Sequence, residues 1–167
     1  MNVRTRGEAT SSLVTEVLHS RGALRLRATG VSMLPTLWPG DLLTIQFREF
    51  AQVQVGDLVL YTRAGRFFIH RVVRKAVLGG EPALITRGDC MAQDDPSVCP
   101  AELLGAVTEI NRGGSRFAPT SSLGPFRQVL AHLLCHWDVF RRIVLRLNAG
   151  RSSTSSGLHL ISRKAAS

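Results

Sequence analysis

Lysine is nearly absent from this sequence. Lys75 and Lys164 are the only two among 21 basic residues, so arginine carries most of a formal charge of +9. A basic surplus of this kind favours anionic partners such as lipid headgroups or nucleic acid. Aromatic residues are also scarce, at 6%. A nucleic-acid surface, which needs aromatics interleaved with the charge, is therefore not expected. The three cysteines, Cys90, Cys99 and Cys135, form no CxxC pair, and no His/Cys cluster has zinc-ligand spacing. No structural metal is expected from this pattern, and the odd count predicts free thiols. Nothing in the chain calls for a cofactor.

Long apolar runs are missing as well. Residues 1–22 contain no apolar core of a signal peptide. No stretch reaches the roughly 18 to 20 uninterrupted apolar residues of a membrane span. The expectation is a cytoplasmic chain, attached at most to a membrane surface.

What is present reads as a mainly β domain. In the polar segment 1–22, a short helix is expected from Glu8 to Leu18. Leu13, Val14, Val17 and Leu18 share one side of it, and Gly22 can end it. Residues 23–110 hold short segments rich in β-formers: LRLRA (24–28), LLTIQF (42–47), DLVLYT (57–62), RFFIHRVVRKAV (66–77), ALITR (83–87) and LGAVTEI (104–110). Turn formers separate them, among them Pro39-Gly40-Asp41, Ala64-Gly65 and Gly79-Gly80. Many short strands with no long helix between them predict one compact β domain. Residues 111–124 have a linker's composition. From 125 to 147, Phe126, Leu130, Leu133, Trp137, Phe140, Val144 and Leu147 recur at alternating steps of four and three, which predicts an amphipathic basic helix. The Ser-rich tail, 148–167, is expected to be disordered.

Three segments place reactive groups beside turn formers. In the first, Gly30-Val31-Ser32-Met33-Leu34-Pro35-Thr36-Leu37, a serine sits where a strand breaks into a turn. Its hydroxyl can face a cleft there, and the amides of Val31 and Ser32 can form an oxyanion hole. Taken alone, such a serine is usually only a turn residue. In the second, Phe67-Phe68-Ile69-His70-Arg71-Val72-Val73, a lone histidine stands in an apolar strand and shares a face with Phe68 and Val72. Most such imidazoles simply hydrogen-bond in the core. The third runs from Thr86 through Gly88-Asp89 to Asp94-Asp95, with three carboxylates directly after a strand. One of them can orient His70, although aspartates are also common in solvated turns.

In this order, the three segments resemble the boxes of the signal peptidase I superfamily, whose catalytic fold the LexA-type repressors share. Ser32-Met33-x-Pro35-Thr36-Leu37 with Gly40-Asp41 resembles the nucleophile box. His70-Arg71-Val72 resembles the general-base box, and Gly88-Asp89 with Asp94-Asp95 the acidic box. Val55-Gly56-Asp57-Leu58-Val59 and Leu104-Gly105-Ala106-Val107 resemble flanking strands of the same family. The likeness covers roughly residues 26–110. A histidine at the base position resembles the branch of the endoplasmic-reticulum and archaeal signal peptidases; the typical bacterial enzymes carry lysine there.

The resemblance implies a signal-peptidase/LexA-like β domain hydrolysing peptide bonds, with Ser32 as nucleophile and His70 as base. In the histidine branch the orienting acid stands six residues after the Gly-Asp aspartate. That offset implies Asp95, with Asp89 in a supporting or alternative role. Lys75 is a poorer base: on an unbent strand it faces away from His70, and a lysine must be deeply desolvated to lose its proton.

Two departures bear on the substrate. Gly30 replaces a serine that many family members carry two residues before the nucleophile, and Cys90 and Met91 replace the asparagines of the acidic box. The expected partner is a peptide or protein substrate; the apolar stripe of 125–147 can pack on the β domain, pair with the same helix of another subunit, or lie on a membrane surface. The alternatives are a self-processing regulatory protease of LexA type and a non-catalytic binding module on the same fold.

Overall fold

A computed structural model describes residues 3–122 together with 124, 129 and 131; the side chains of residues 3–11 are outside that description. Val129 and Ala131 are helical. The remainder of the expected 125–147 helix, and the whole 148–167 tail, lie outside the described residues.

The chain opens with helix α1, Val3–Arg21. It is longer than the Glu8–Leu18 segment expected, because Arg4 and Arg6 are good helix formers and no proline interrupts the first turns. Its end is where the sequence placed it. Gly22 takes φ 69° and its N–H donates to Leu18 O at 2.9 Å, a left-handed cap that only glycine adopts freely. Leu18 is fully buried and Val14 packs beside it, which docks the helix on the sheet.

Seven strands follow: β1 Ala23–Arg27, β2 Leu42–Gln46, β3 Leu58–Arg63, β4 Arg66–Leu78, β5 Glu81–Arg87, β6 Leu103–Arg112 and β7 Ser115–Phe117. They form one antiparallel sheet in the order β1-β2-β6-β3-β4-β5, with β7 added beside β6. The fold is mainly β, as expected. The segment read as a linker, 111–124, starts instead as sheet. Gly113 and Gly114, at φ 57° and 89°, turn the chain so that Ser115–Phe117 pairs back on Ile110–Arg112. The charged triplet Ser-Arg-Phe is too short to signal a strand by pattern.

Alternation along β3 divides the core between the two faces of the sheet. Leu58 and Leu60 pack with Met33, Leu37, Leu43 and Ile45 on one face; Val59 and Tyr61 pack with Val53, Val72, Leu84 and Val98 on the other. Strand β4 is long enough to serve two neighbours. Its first half, Arg66–Arg71, pairs with β3, and its second half pairs with β5 from Arg71 onward, past a bulge between Val72 and Arg74. Residues 66–70 therefore carry no β5 partner on the edge away from β3.

Candidate active site

The Ser32 turn is held from below by apolar anchors. Met33, Leu34 and Leu37 are buried, Leu34 N–H donates to Val31 O at 3.2 Å, and Leu37 N–H donates to Met33 O at 2.9 Å. Beyond the turn, Asp41 accepts from Trp38 N–H at 2.8 Å and from Arg112 at 2.9 and 2.6 Å. The turn is thereby tied to β6. Ser32 itself stays half-exposed. Among the described residues, the amides of Val31 and Ser32 donate to no protein acceptor, so both are available to an incoming oxygen.

His70 lies on β4, 7% exposed, with its imidazole between two oxygens. Its Nε2 is 3.0 Å from Ser32 Oγ, and its Nδ1 is 2.6 Å from Asp95 Oδ2. A carboxylate can only accept, so Nδ1 carries the proton and Nε2 is free to accept from the serine hydroxyl. Asp95 is brought within reach because its own N–H donates to Thr86 O at 2.8 Å, folding the acidic loop back on β5. The same loop grips the nucleophile turn, since Cys90 N–H donates to Ser32 O at 2.8 Å. Gly88 lets the two segments meet: a Cβ there would stand 2.7 Å from Ser32 O.

Ser32 and His70 line a cleft of about 540 Å³ whose walls come from residues 26–33 and from the unpaired start of β4. Leu26, Met33, Leu60, Phe67 and Ile69 make it largely apolar. No group of three or more His, Cys, Asp or Glu among the described residues is arranged to hold a metal ion.

Part of the chain is similar in sequence to curated proteins. The chain is 39% identical over 67 residues to the signal peptidase complex catalytic subunit SEC11 of Chaetomium globosum. It is 40% identical over 67 residues to that of Neurospora crassa and 34% identical over 87 residues to that of Colletotrichum graminicola. The chain is signal peptidase I-like. The likeness covers 38% of this chain and 39% of the Chaetomium protein, and 46% and 51% in the Colletotrichum pair, so the chain spans about two fifths to half the length of the curated relatives it matches. No family model matches the chain.

Within this signal peptidase I-like domain the two candidate acids part company. Asp95 meets His70, whereas Asp89 meets Arg71, whose Nε and Nη2 each donate to it at 2.8 Å. Arg71 also donates to Gly56 O at 2.9 Å and Thr120 O at 2.6 Å, and Thr36 Oγ1 donates to Asp89. Asp94 is elsewhere, 3.4 Å from Arg87 at the surface. Lys75 is exposed and its Nζ donates to Ala51 O at 3.3 Å. The bulge at Val72–Arg74 means that β4 is not the unbent strand expected, and Lys75 meets Ala51 and not Ser32.

Two neighbours of Asp95 carried no signal in the sequence. Thr86 Oγ1 donates to Asp95 Oδ2 at 2.7 Å, and Tyr61 Oη donates to the same oxygen at 3.3 Å. Burial, reinforced by the charge of Asp95, pushes the Tyr61 phenol up to about 12, so it stays a donor throughout the neutral range. Tyr61 stacks on Phe68, with ring centroids 5.5 Å apart, and this pair screens the inner side of His70.

Proposed function

We propose that this chain is a serine endopeptidase of signal peptidase I type, in which Ser32 attacks, His70 acts as general base and Asp95 orients the base. The observation that carries the reading is the continuous line Ser32 Oγ, His70 Nε2, His70 Nδ1, Asp95 Oδ2, with gaps of 3.0 and 2.6 Å, opening on an apolar cleft. An extended peptide enters beside residues 66–70, where a free strand edge offers backbone hydrogen bonds. His70 takes the Ser32 proton as Oγ adds to the scissile carbonyl carbon. The resulting oxyanion is held by the amides of Val31 and Ser32. The imidazolium returns its proton to the leaving amine, giving an acyl-enzyme. Water, deprotonated by His70, then releases the acyl group and restores Ser32.

Asp89 supports the site indirectly, by fixing Arg71 and Thr36 beneath it. The relatives' name places them in a complex and gives the cytoplasmic expectation no support; contact with a membrane surface through residues 125–147 belongs to this same proposal. Among the described residues no helix is long and apolar enough to cross a membrane.

The test compares wild type with Ser32→Ala on a defined pool of synthetic peptides, with cleavage read by mass spectrometry. Cuts made by wild type and absent from the variant support the reading. No cleavage by wild type, or equal cleavage by both, overturns it. Intact mass of the two proteins shows in the same experiment whether the chain's own peptide bonds are among its substrates.

A further inference from the structure

The cleft beside Ser32 carries charge of one sign. Arg27, the last residue of β1, and Arg66, the first of β4, both line it and both are exposed, and no aspartate or glutamate lines it. Neutral groups hold the two guanidiniums in place. Arg27 Nη1 donates to Gly40 O at 2.8 Å, and the Arg66 guanidinium lies 5.9 Å from the centre of the Phe68 ring. Elsewhere on the domain Arg63, Arg71, Arg87, Arg112 and Arg116 each face a carboxylate, while Arg21, Arg25, Arg48 and Arg74 face none among the described residues but do not line this cleft. Among the described residues, Arg27 and Arg66 face none. Two cations at one cleft are thus left without an anion among the described residues.

We infer that the cleft selects peptides bearing an acidic side chain on the arm that runs along residues 27–31 and 66–69. The inference rests on the reading of Ser32 and His70 as a peptidase pair. Arg27 stands five residues before Ser32, and Arg66 four before His70. Residues 66–70 are continuous strand, and an extended peptide beside them rises about 3.3 Å per residue, so an acidic side chain that meets Arg66 falls roughly four positions from the cut. Apolar side chains nearer the cut meet Leu26, Met33 and Ile69. Each pair forms at a solvent-exposed rim, where charge–charge attraction changes affinity only about 1.5- to 5-fold. Together the two arginines give a preference of roughly two- to 25-fold, which falls as salt rises.

The test uses the full chain and a pool of synthetic peptides with aspartate, glutamine or lysine at each position from two to six residues on either side of a varied centre. In wild type, cleaved peptides are expected to be enriched in aspartate on one arm only. The Arg27→Glu/Arg66→Glu variant reverses that enrichment toward lysine, and Arg27→Gln/Arg66→Gln abolishes it. Arg74→Glu, a charge change outside the cleft, leaves it as in wild type. Cleavage without acidic enrichment overturns the inference while the peptidase reading stands. A shift in Arg74→Glu equal to that in the double variant also overturns it, because net charge would then be the cause. If no peptide is cleaved, the peptidase reading fails by itself. Fluorescence anisotropy of labelled aspartate- and lysine-bearing peptides on Ser32→Ala then decides the cleft's preference, and equal binding of the two sinks it.

Discussion

His70 and Arg71 are neighbours in β4 and turn to opposite faces, each toward a different aspartate of one loop. Asp95 Oδ2 lies 2.6 Å from His70 Nδ1, while Asp89 takes two hydrogen bonds of 2.8 Å from Arg71. The acidic loop therefore performs two tasks with two carboxylates. In the proposed mechanism one orients the imidazole, while the other pins the strand that carries it.

Removing each acid should separate those tasks. Asp95→Asn is expected to lower kcat on the order of 10²- to 10⁴-fold with little change in KM, since the neutral amide no longer balances the imidazolium and its NH2, turned to Nδ1, donates and favours the wrong tautomer. Ser32→Ala and His70→Ala should each cost about as much as the pair together, because the residues act as a unit. Steady-state rates on one cleaved peptide measure both; additive losses would argue against a shared mechanism.

Arg71→Met should act on stability. The Arg71 and Asp89 side chains are only 9% and 2% exposed, so the substitution strands a buried carboxylate. Breaking such a pair costs about 3–5 kcal/mol. Adding Asp89→Asn should recover part of the loss. Urea unfolding followed by circular dichroism reports the difference, and a change below about 1 kcal/mol would be that of a surface pair.

Gly88→Ala should spare the fold more than the activity. The added methyl meets Ser32 O and Met91 Cγ, each at 2.7 Å, and the nucleophile turn has to move. A displacement near 1 Å at a reacting group can cost on the order of 10²-fold in rate. The expected result is a kcat loss of that order, with a melting temperature closer to wild type than that of Arg71→Met.

The single tyrosine allows an alkaline titration without interference from another phenol. Tyr61 should form phenolate at about 12 in the native protein and near its ordinary 10 in urea, the shift arising chiefly from burial. A group whose folded value is raised stabilises fully below its unfolded value and loses that contribution as pH climbs through the folded one. Stability should thus decline between about pH 10 and 12. Phenolate absorbance against pH checks the titration, and native ionisation near 10 would place Tyr61 in solvent.

Glu102 predicts the opposite limb. The hydrogen bond from Arg63 holds its carboxyl below the ordinary carboxylate range. A depressed acid stabilises above its unfolded value, about 4.3, and loses that contribution as pH falls through the folded one. Glu102→Gln should therefore flatten the acid side of the stability profile and leave the alkaline side unchanged, as pH-dependent thermal melts would show.

Much of this protein is written locally. Alternating β-formers between turn residues set out six of the seven strands, because side-chain alternation and turn chemistry act over a few residues. Gly22 marks the end of α1 for the same reason. The order of the three boxes directed attention to Ser32 and His70, and the scarcity of lysine left few rivals for the base. Other features depended on partners distant in sequence. Leu18 docks α1 on the sheet; β7 exists only because β6 is there to pair with it. Asp95 and not Asp89 faces His70 because Asp95 N–H bonds to Thr86 O and folds the loop, while Arg71 holds Asp89 away. Thr86 and Tyr61 reach Asp95 across neighbouring strands, a proximity that no spacing along the chain expresses. Residue types and their order determined which chemistry was available. Only the folding of the 88–95 loop against β4 and β5 decided which carboxylate meets His70, because a side chain's direction in a loop depends on the contacts that close that loop.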